Sequence, residues 1–185
     1  CMATLHDIET HEGLNKEFQN LFKEAVRHIV GVQFRNCATI GGSIFPKLGF
    51  SDVLTAFLAC DTQVILYKKG EVPLREFIYI PTDNDILTHL YVKKDGRKTA
   101  YESFRMTETD FPTITCAMAK TQDGFETVLG ARPKHAEVVV DEVVADAFSS
   151  EEVSDYAKRV IGKLQYGSNI RGSEQYRNCL LYTSP

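Results

Sequence analysis

The sequence predicts an α+β protein with a mainly helical first part and an antiparallel meander, followed by helices, in its second part. Three observations support this fold class. Apolar residues recur at helical spacing over residues 14–30, and the period changes to that of strands from Thr62 onward. Three short strand-like segments then follow one another between Ala100 and Leu129.

The first predicted helix runs from Leu14 to Val30, where apolar and polar side chains recur with the helical period. A shorter helix is predicted from Asp52 to Cys60. Ser51 suits the N-cap of this helix, and the carboxylate of Asp52 suits its positive first turn. The glycine-containing segment Arg35–Ser43 lies between the two helices.

Strand candidates are rich in β-branched and aromatic residues and are bounded by turn residues. The candidates are Thr62–Lys68, Val72–Leu74, Ile86–Val92, Ala100–Met106, Thr113–Lys120 and Phe125–Leu129. Gln122-Asp123-Gly124 is a hairpin signal, and the last three candidates predict a three-stranded antiparallel sheet. Two helices are predicted to close the chain, His135–Ala147 and Glu151–Leu164, with Ser149 or Ser150 as N-cap of the second.

The composition excludes several functional classes. With 43% hydrophobic and 25% charged residues among 185, the chain can bury one good core or two small ones. A net charge of −4 without runs of Lys or Arg gives no footprint for nucleic acid or an anionic membrane surface. No apolar stretch approaches the length of a membrane span, and no signal-peptide pattern opens the chain.

The cysteines and histidines predict no metal site and no catalytic pair. The five cysteines are scattered without any Cys-x-x-Cys spacing, which indicates reduced thiols in a cytoplasmic protein. None of the five histidines has a carboxylate, Ser or Cys partner at recognisable spacing, so we interpret all of them as structural or solvated: His6, His11, His28, His89 and His135.

The segment Thr39–Ser43 has the chemistry of a ligand site. Two adjacent glycines permit positive φ angles and let a ligand approach main-chain N–H groups. The hydroxyls of Thr39 and Ser43 can donate to phosphate or ribityl oxygens, and Asp52 can accept from a hydroxyl of a sugar or sugar alcohol. These groups suit a nucleotide-type cofactor. For an isolated Gly-Gly pair, an ordinary turn between helix and strand is the alternative.

The context of this segment resembles the FAD-binding subunit of molybdenum hydroxylases, the family of xanthine dehydrogenase and carbon monoxide dehydrogenase. Residues 35–43 are similar to the family's Arg-Asn-x-x-Thr-Ile-Gly-Gly-Asn, with Ser43 in place of the longer Asn. A Ser-Asp pair at 51–52 and an apolar helix follow, as in the family. Tyr101–Arg105 is similar to the family's Tyr-Glu-Lys-Phe-Arg, and Arg171–Arg177 is similar to its Arg-Gly-Ser-x-x-Tyr-Arg.

The resemblance implies part of a vanillyl-alcohol-oxidase-type (PCMH-type) FAD-binding domain followed by a C-terminal domain. It implies FAD as the cofactor of this chain, with molybdopterin and [2Fe–2S] clusters only on partner subunits. Electrons would pass from those clusters through FAD to NAD⁺ or another acceptor, and no catalytic side chain is expected because the flavin does the chemistry. The residues that carry over as cofactor contacts are Thr39, Ile40, Gly41, Gly42, Ser43, Asp52, Leu87 and Arg105. Without that context, Arg105 would be expected to pair with Glu102 or Glu108 at the surface.

The Lys93–Lys98 linker predicts a domain boundary. Residues 1–97 would be the second lobe of the FAD-binding domain, and residues 98–178 the C-terminal domain, to which Arg171 and Arg177 are expected to anchor the last helix. We expect the family's first lobe, with its own Gly-rich pyrophosphate loop, to be missing and the fragment alone to be inactive. Residues 179–185 break the helical pattern and resemble a translated transposon adaptor, which predicts a non-native tail.

Two other functions are open alternatives. One is a non-catalytic binding domain, in which Ala100–Asn178 would serve mainly as an assembly surface. The other is a flavin oxidoreductase of the same fold that works without molybdenum.

Overall fold

Short helices and two antiparallel sheets make up the protein in a computed structural model that describes residues 1–81, 83–142 and 149–183. The helices are α1 Leu5–Thr10, α2 Glu12–Glu17, α3 Leu21–Val26, α4 Val32–Arg35, α5 Ile40–Ile44, α6 Asp52–Leu58, α7 Leu74–Phe77, α8 Ser150–Gly162 and α9 Glu174–Thr183. The strands are β1 Thr62–Leu66, β2 Gly70–Pro73, β3 Leu87–Val92, β4 Lys98–Phe104, β5 Ile114–Lys120, β6 Phe125–Gly130 and β7 Glu137–Asp141. The α+β class is confirmed. Among the described residues, none of the helices has the length and apolar character that a membrane crossing requires.

The two sheets follow one another along the chain. The first has the strand order β2-β1-β3 and the second the order β4-β5-β6-β7, with every pairing antiparallel. The predicted hairpin turn joins β5 to β6 through Gly124, at φ 139°. A Cβ at Gly124 would lie 2.3 Å from the carbonyl oxygen of Asp141. Glycine is therefore needed both for the turn and for the close approach of the end of β7.

Side chains from both faces of the four-stranded sheet are buried. Val128 and Leu129 are neighbours in β6 and therefore point to opposite faces. Val128 joins the larger core with α1, α3 and α6, whereas Leu129 joins a second core with Tyr156 and Val160 of α8. The sheet therefore lies between the N-terminal helices and the C-terminal ones.

The helix predicted over Leu14–Val30 was wrong in its continuity. Helices α2 and α3 flank a turn in which Gln19 and Asn20 have φ angles of 45° and 64°. The side-chain oxygen of Gln19 accepts a hydrogen bond from the N–H of Thr99 at 2.7 Å. The turn is thus held by contact with β4, a tertiary interaction that overrides the local helical period.

The helix predicted over His135–Ala147 was also wrong in its described part. Glu137–Asp141 form β7, which pairs with β6 in the register Val128↔Val138 and adds a fourth strand to the predicted three. Three consecutive β-branched valines favour a strand, and Val139 is buried in the second core. The remainder of that predicted helix, over 143–147, lies outside the described residues.

Two predicted helix N-caps are confirmed. The Ser51 hydroxyl accepts from the N–H of Leu54 at 3.1 Å at the start of α6. Ser149 and Glu152 form a capping box at the start of α8, with distances of 3.3 Å from N–H to Oγ and 2.8 Å from N–H to Oε2. The sequence predicted that the helical pattern breaks at Cys179. This prediction was wrong, because α9 continues through Cys179.

Arg177 anchors the last helix to the second sheet, as predicted. Its side chain is fully buried. The guanidinium donates to the carbonyl of Thr113 at 2.9 Å, to that of Gly167 at 2.7 Å, and to Oδ1 of Asn169 at 2.6 Å. Burial lowers the pKa of this group, and the neutral acceptors replace the water that it loses.

Gly130 in β6 is expected to be intolerant of a larger side chain. A Cβ there would lie 2.3 Å from Oγ1 of Thr55 and 2.5 Å from Oγ1 of Thr115. These buried hydroxyls hydrogen-bond to each other at 3.0 Å and join α6 to β5. We expect Gly130→Ala to lower the free energy of unfolding by roughly 1–3 kcal/mol, measured by urea denaturation.

The matched control is Gly162→Ala in α8, because nothing lies within 4 Å of a Cβ at that position. It should be neutral or more stable by up to about 1 kcal/mol, since alanine is the better helix former. Equal destabilisation by both substitutions would contradict the proposed contact.

Candidate cofactor-binding cleft

A cleft of about 430 Å³ brings five of the predicted contact residues onto one surface. Its lining includes Thr39, Gly42, Ser43, Asp52 and Arg105. We call it the motif cleft. Its wall combines α5, the start of α6 and the segment after β4. The fold therefore brings the glycine motif and the Tyr101–Arg105 motif together.

The other three predicted contact residues lie behind this wall. Ile40 and Leu87 are each 7% exposed and belong to the larger core. A Cβ at Gly41 would lie 2.9 Å from both Cβ and the carbonyl oxygen of Cys1, and 3.3 Å from Cδ2 of Leu87. These residues support the wall of the motif cleft from inside.

The glycine segment is helical, so the expected positive φ angles were wrong. Neither glycine of α5 has a positive φ. The first two N–H groups of α5 donate to carbonyls within residues 1–3, at 3.0 and 2.9 Å. The next two donate to Oγ1 and to the carbonyl oxygen of Thr39, each at 3.1 Å. The expected cradle of unoccupied main-chain N–H groups is therefore absent from α5, because the N-terminal segment and the helix cap already use them.

Side-chain hydroxyls remain on the cleft wall. Oγ1 of Thr39 accepts from the N–H of Gly42 and, among the described residues, donates to no protein acceptor. Oγ of Ser43 donates to the carbonyl of Thr39 at 3.0 Å and keeps its lone pairs for other donors. The hydroxyl of Thr39 can therefore still donate to a ligand, whereas that of Ser43, predicted as a donor, can only accept from one.

Asp52 and Arg105 contact each other in the wall of the motif cleft. Oδ1 of Asp52 accepts from Nη2 of Arg105 and from the hydroxyl of Tyr101, the latter at 2.6 Å. Nη1 of Arg105 donates to the carbonyl of Asp110 at 2.7 Å. Nε of Arg105 is buried without a partner among the described residues. Arg105 therefore pairs with Asp52 rather than with the surface glutamates that sequence reasoning offered as alternatives.

The electrostatics of this pair reflect its burial. Asp52 is 5% exposed, and burial raises the pKa of its carboxyl group, while the charge of Arg105 and the hydrogen bond from Tyr101 act in the opposite direction. Burial and the neighbouring carboxylate hold the pKa of Tyr101 well above its ordinary value. Tyr101 therefore remains a neutral donor to Asp52.

Arg35, the first residue of the glycine motif, holds the segment that precedes Thr39. Its Nε and Nη2 atoms donate to the two carboxylate oxygens of Glu9 in α1, at 2.8 and 3.0 Å. Burial alone would raise the pKa of Glu9, but hydrogen bonds from Arg35 and His6 outweigh it, and the net shift is downward. This motif residue is therefore structural, since it fixes α4 against α1.

Apolar side chains that sequence reasoning missed form another part of the cleft wall. Val30, Phe34, Leu48 and Phe50 line the motif cleft and are between 40% and 53% exposed. Exposed apolar surface gathered in one concave place is typical of ligand sites. Val30 also has a φ of 49°, which β-branched residues rarely adopt. The sequence offered no signal for this wall, because Val30 fitted the end of an apolar helical pattern.

His28 also lines the motif cleft, although no sequence pattern singled it out. Burial, followed by the charges of Arg27 and Arg105, lowers its pKa. Nε of Arg27 donates to Nε2 of His28 at 2.9 Å, which requires that nitrogen to be an acceptor. At neutral pH the ring is therefore uncharged.

A second cleft, of about 660 Å³, lies on the other side of Phe50. Phe50 and Phe111 line both clefts, and their ring centroids are 4.4 Å apart. Arg132, Lys134 and Arg171 line the second cleft together with one carboxylate, Glu137, which pairs with Arg132. We call it the basic cleft.

The first half of the chain matches a known protein family. Residues 1–92 match the family described as the FAD binding domain in molybdopterin dehydrogenase. Through these residues the chain belongs to that family. The resemblance that the sequence motifs indicated is confirmed.

Two proteins with curated descriptions are also similar in sequence. The glyceraldehyde dehydrogenase medium chain of Sulfolobus acidocaldarius is 27% identical over 194 residues, which cover 96% of this chain and 69% of that protein. The uncharacterized protein YgfM of Escherichia coli K12 is 26% identical over 108 residues, which cover 58% of this chain and 41% of that protein.

Solved structures share the fold. A chain of quinoline 2-oxidoreductase from Pseudomonas putida 86 aligns with a TM-score of 0.84 at 16% identity, covering 97% of this chain and 68% of that one. A chain of carbon monoxide dehydrogenase from Hydrogenophaga pseudoflava aligns with a TM-score of 0.82 at 21% identity, covering 97% and 69%. These likenesses confirm the predicted PCMH-type fold.

The motif cleft has groups that are suited to binding FAD. The buried Nε of Arg105 is an orphaned donor at the cleft wall. Gly42 has no side chain to fill the cleft, and a Cβ there would approach Oγ1 of Thr39 to 3.1 Å. Phe34 adds an exposed apolar ring. Hydroxyl, charged and apolar groups are thus gathered where an amphipathic cofactor needs them.

The Arg35–Glu9 pair predicts a pH-dependent contribution to stability. The pKa of Glu9 is lowered from 4.5 in the folded protein, so its contribution is complete above that value and is lost as pH falls through the folded pKa. We expect Glu9→Gln to cost roughly 1–3 kcal/mol of unfolding free energy at about pH 7 and much less at about pH 3. Urea denaturation at both pH values measures this difference.

Glu12→Gln is the control, because Glu12 is exposed at the start of α2. It should change stability by only a few tenths of a kcal/mol at either pH. A cost of Glu9→Gln that does not change with pH would argue against the ion pair as its source.

Proposed function

We propose that the chain is the FAD-binding electron-transfer subunit of a molybdenum hydroxylase of the xanthine dehydrogenase type. In this role it takes electrons from [2Fe–2S] clusters and passes them through FAD to NAD⁺ or another acceptor. The observation that carries the proposal is the convergence of Thr39, Asp52 and Arg105 on one cleft in a chain of the FAD-binding family. The description of the Sulfolobus relative as a medium chain supports a multi-subunit enzyme.

Bound FAD would supply the redox chemistry, since its isoalloxazine ring accepts and releases electrons. The chain's own task is binding and orientation. We assign hydrogen bonding to a cofactor hydroxyl or phosphate group to Thr39, whose hydroxyl can still donate. Ser43 and Asp52 would accept hydrogen bonds from cofactor hydroxyls. Arg105 adds a fixed positive charge. Behind them, Ile40, Gly41 and Leu87 would act by holding the wall in place.

The basic cleft is our candidate for the site of the electron acceptor. It adjoins the motif cleft at the Phe50–Phe111 pair, so an acceptor there would lie next to the cofactor. The guanidinium of Arg171 lies 4.9 Å from the centroid of the Phe111 ring, and Lys134 adds a second positive charge. An aromatic and cationic lining suits a ligand that combines a planar ring with phosphate groups, such as a nicotinamide nucleotide.

We propose the molybdopterin-binding subunit and the [2Fe–2S] subunit as partners, in the cytoplasm. No disulfide joins any of the five cysteines within the described residues. Burial raises the pKa of Cys60 and of Cys116 to about 12, which makes both thiols unreactive. Buried, unreactive thiols are compatible with a reducing compartment.

The proposed domain division stays at 1–97 and 98–178. It is supported by the end of the first sheet at Val92 and the start of the second at Lys98. The two units nevertheless share the larger core, since Tyr101 and Val128 pack with the N-terminal helices. We retain 179–185 as a proposed non-native tail.

The visible spectrum of the purified full-length gene product, before and after incubation with FAD, tests the proposal. We expect a flavin spectrum that remains after gel filtration. Absence of flavin after reconstitution would favour the non-catalytic binding domain instead. Flavin without molybdenum or iron in the complex purified from its source would favour a molybdenum-independent oxidoreductase.

Gly42→Val is expected to abolish stable FAD binding. A branched side chain would occupy the cleft and crowd Oγ1 of Thr39, which lies 3.1 Å from the Cβ position. We expect an affinity at least about 100-fold weaker, measured by fluorescence titration of FAD, because loss of a few contacts costs about 3 kcal/mol. Gly162→Val introduces the same side chain into α8, away from the cleft, and should leave the affinity unchanged. Stoichiometric FAD in the Gly42 variant would refute the assignment.

A further inference from the structure

The hydroxyl of Tyr101 is a buried group that the cofactor assignment above does not use. Tyr101 lies in β4, is 9% exposed, and does not belong to the lining of the motif cleft. It reaches the cleft through one contact, the hydrogen bond of 2.6 Å from its hydroxyl to Oδ1 of Asp52. Any effect on a ligand must therefore pass through Asp52.

Both side-chain donors to Asp52 bind the same carboxylate oxygen. The Tyr101 hydroxyl and Nη2 of Arg105 each donate to Oδ1. Neither engages Oδ2, although Asp52 itself lines the motif cleft. A carboxylate has about four lone-pair sites, so this arrangement saturates one oxygen and leaves the other for an incoming donor.

Building on the proposed FAD function, we infer that Tyr101 is a positioning residue for the cofactor. Its hydroxyl holds Oδ1 of Asp52 against Arg105, so that Oδ2 is kept ready to accept a hydrogen bond from a hydroxyl of FAD. A phenylalanine at this position would leave Arg105 as the single side-chain donor, and the carboxylate could then rotate.

The same hydrogen bond favours the ionised form of the carboxylate. Burial opposes the charge on Asp52 and raises its pKa, and the hydrogen bond from Tyr101 counteracts this rise. The other charged or titratable side chains that line the motif cleft are Arg105, His28 and Asp110. Loss of the tyrosine donor therefore raises the pKa of Asp52 further, so acceptance of a cofactor hydroxyl fails at a higher pH than in the wild type.

The test is the affinity of the full-length gene product for FAD, measured by fluorescence quenching over a range of pH. We expect Tyr101→Phe to weaken binding about tenfold near neutral pH, as loss of one hydrogen bond to a charged group does. The pH below which affinity falls should move upward. His28→Gln identifies any part of the titration that belongs to His28.

The control variant is Tyr156→Phe, which removes another buried tyrosine hydroxyl, one bonded to Thr127 Oγ1 at 2.6 Å in the second core. It should lower thermal stability to a similar extent without changing the affinity or its pH profile. If Tyr101→Phe does not fold, a fluorinated tyrosine at position 101 replaces it. That residue keeps the ring and is a stronger donor, so the pH midpoint should move downward.

A double-mutant cycle identifies the route of the effect. In an Asp52→Asn background, Tyr101→Phe should cause no further loss of affinity. An equal loss in both backgrounds, or wild-type affinity and pH profile in Tyr101→Phe, would overturn the positioning role while leaving the FAD function standing. Failure of the wild-type protein to bind FAD at any pH would refute the proposed function itself, and the inference with it.

Discussion

The burial of helix α6 is the constraint on which the rest of the structure depends. All seven of its residues, Asp52–Leu58, are buried. The helix packs against α3 and α5 and also against β5 and β6, so it joins the N-terminal helices to the second sheet. Its first residue is a carboxylate, which can be buried only if donors replace the lost water. Tyr101 and Arg105 provide them, and in doing so they bring the end of β4 to the motif cleft.

A second constraint is that the main-chain N–H groups of the glycine segment are already bound within the chain. Residues 1–3 run beside α5 and accept its first two N–H groups. Gly41 makes this approach possible, since a Cβ there would collide with Cys1. The segment therefore exposes side-chain hydroxyls and the side-chain-free Gly42 to the motif cleft, and its main-chain N–H groups are not available to a ligand. Without the carbonyl acceptors of residues 1–3, the first two of these N–H groups would be open to a ligand.

Local signals in the sequence predicted helices α6 and α8 and strands β1 to β6. Long-range contacts account for two segments in which the prediction was wrong. The caps at Ser51 and Ser149 and the hairpin at Gly124 depend on neighbouring residues, so the sequence was sufficient for them. The break at Gln19 and Asn20 depends on Thr99 in β4. The strand at Glu137–Asp141 depends on pairing with β6. A window of sequence contains neither partner, which is why both segments were predicted as helix.

The amino-acid sequence by itself determined the family and the identity of the motif residues, because residue type and order are sufficient for both. Only the tertiary structure decided that Thr39, Gly42, Ser43, Asp52 and Arg105 share one cleft whereas Ile40, Gly41 and Leu87 lie behind it. It also decided that Arg105 pairs with Asp52, and that Tyr101 stands behind that pair. The physical reason is that burial and hydrogen-bond partnership arise between segments distant in sequence, where composition and periodicity carry no information.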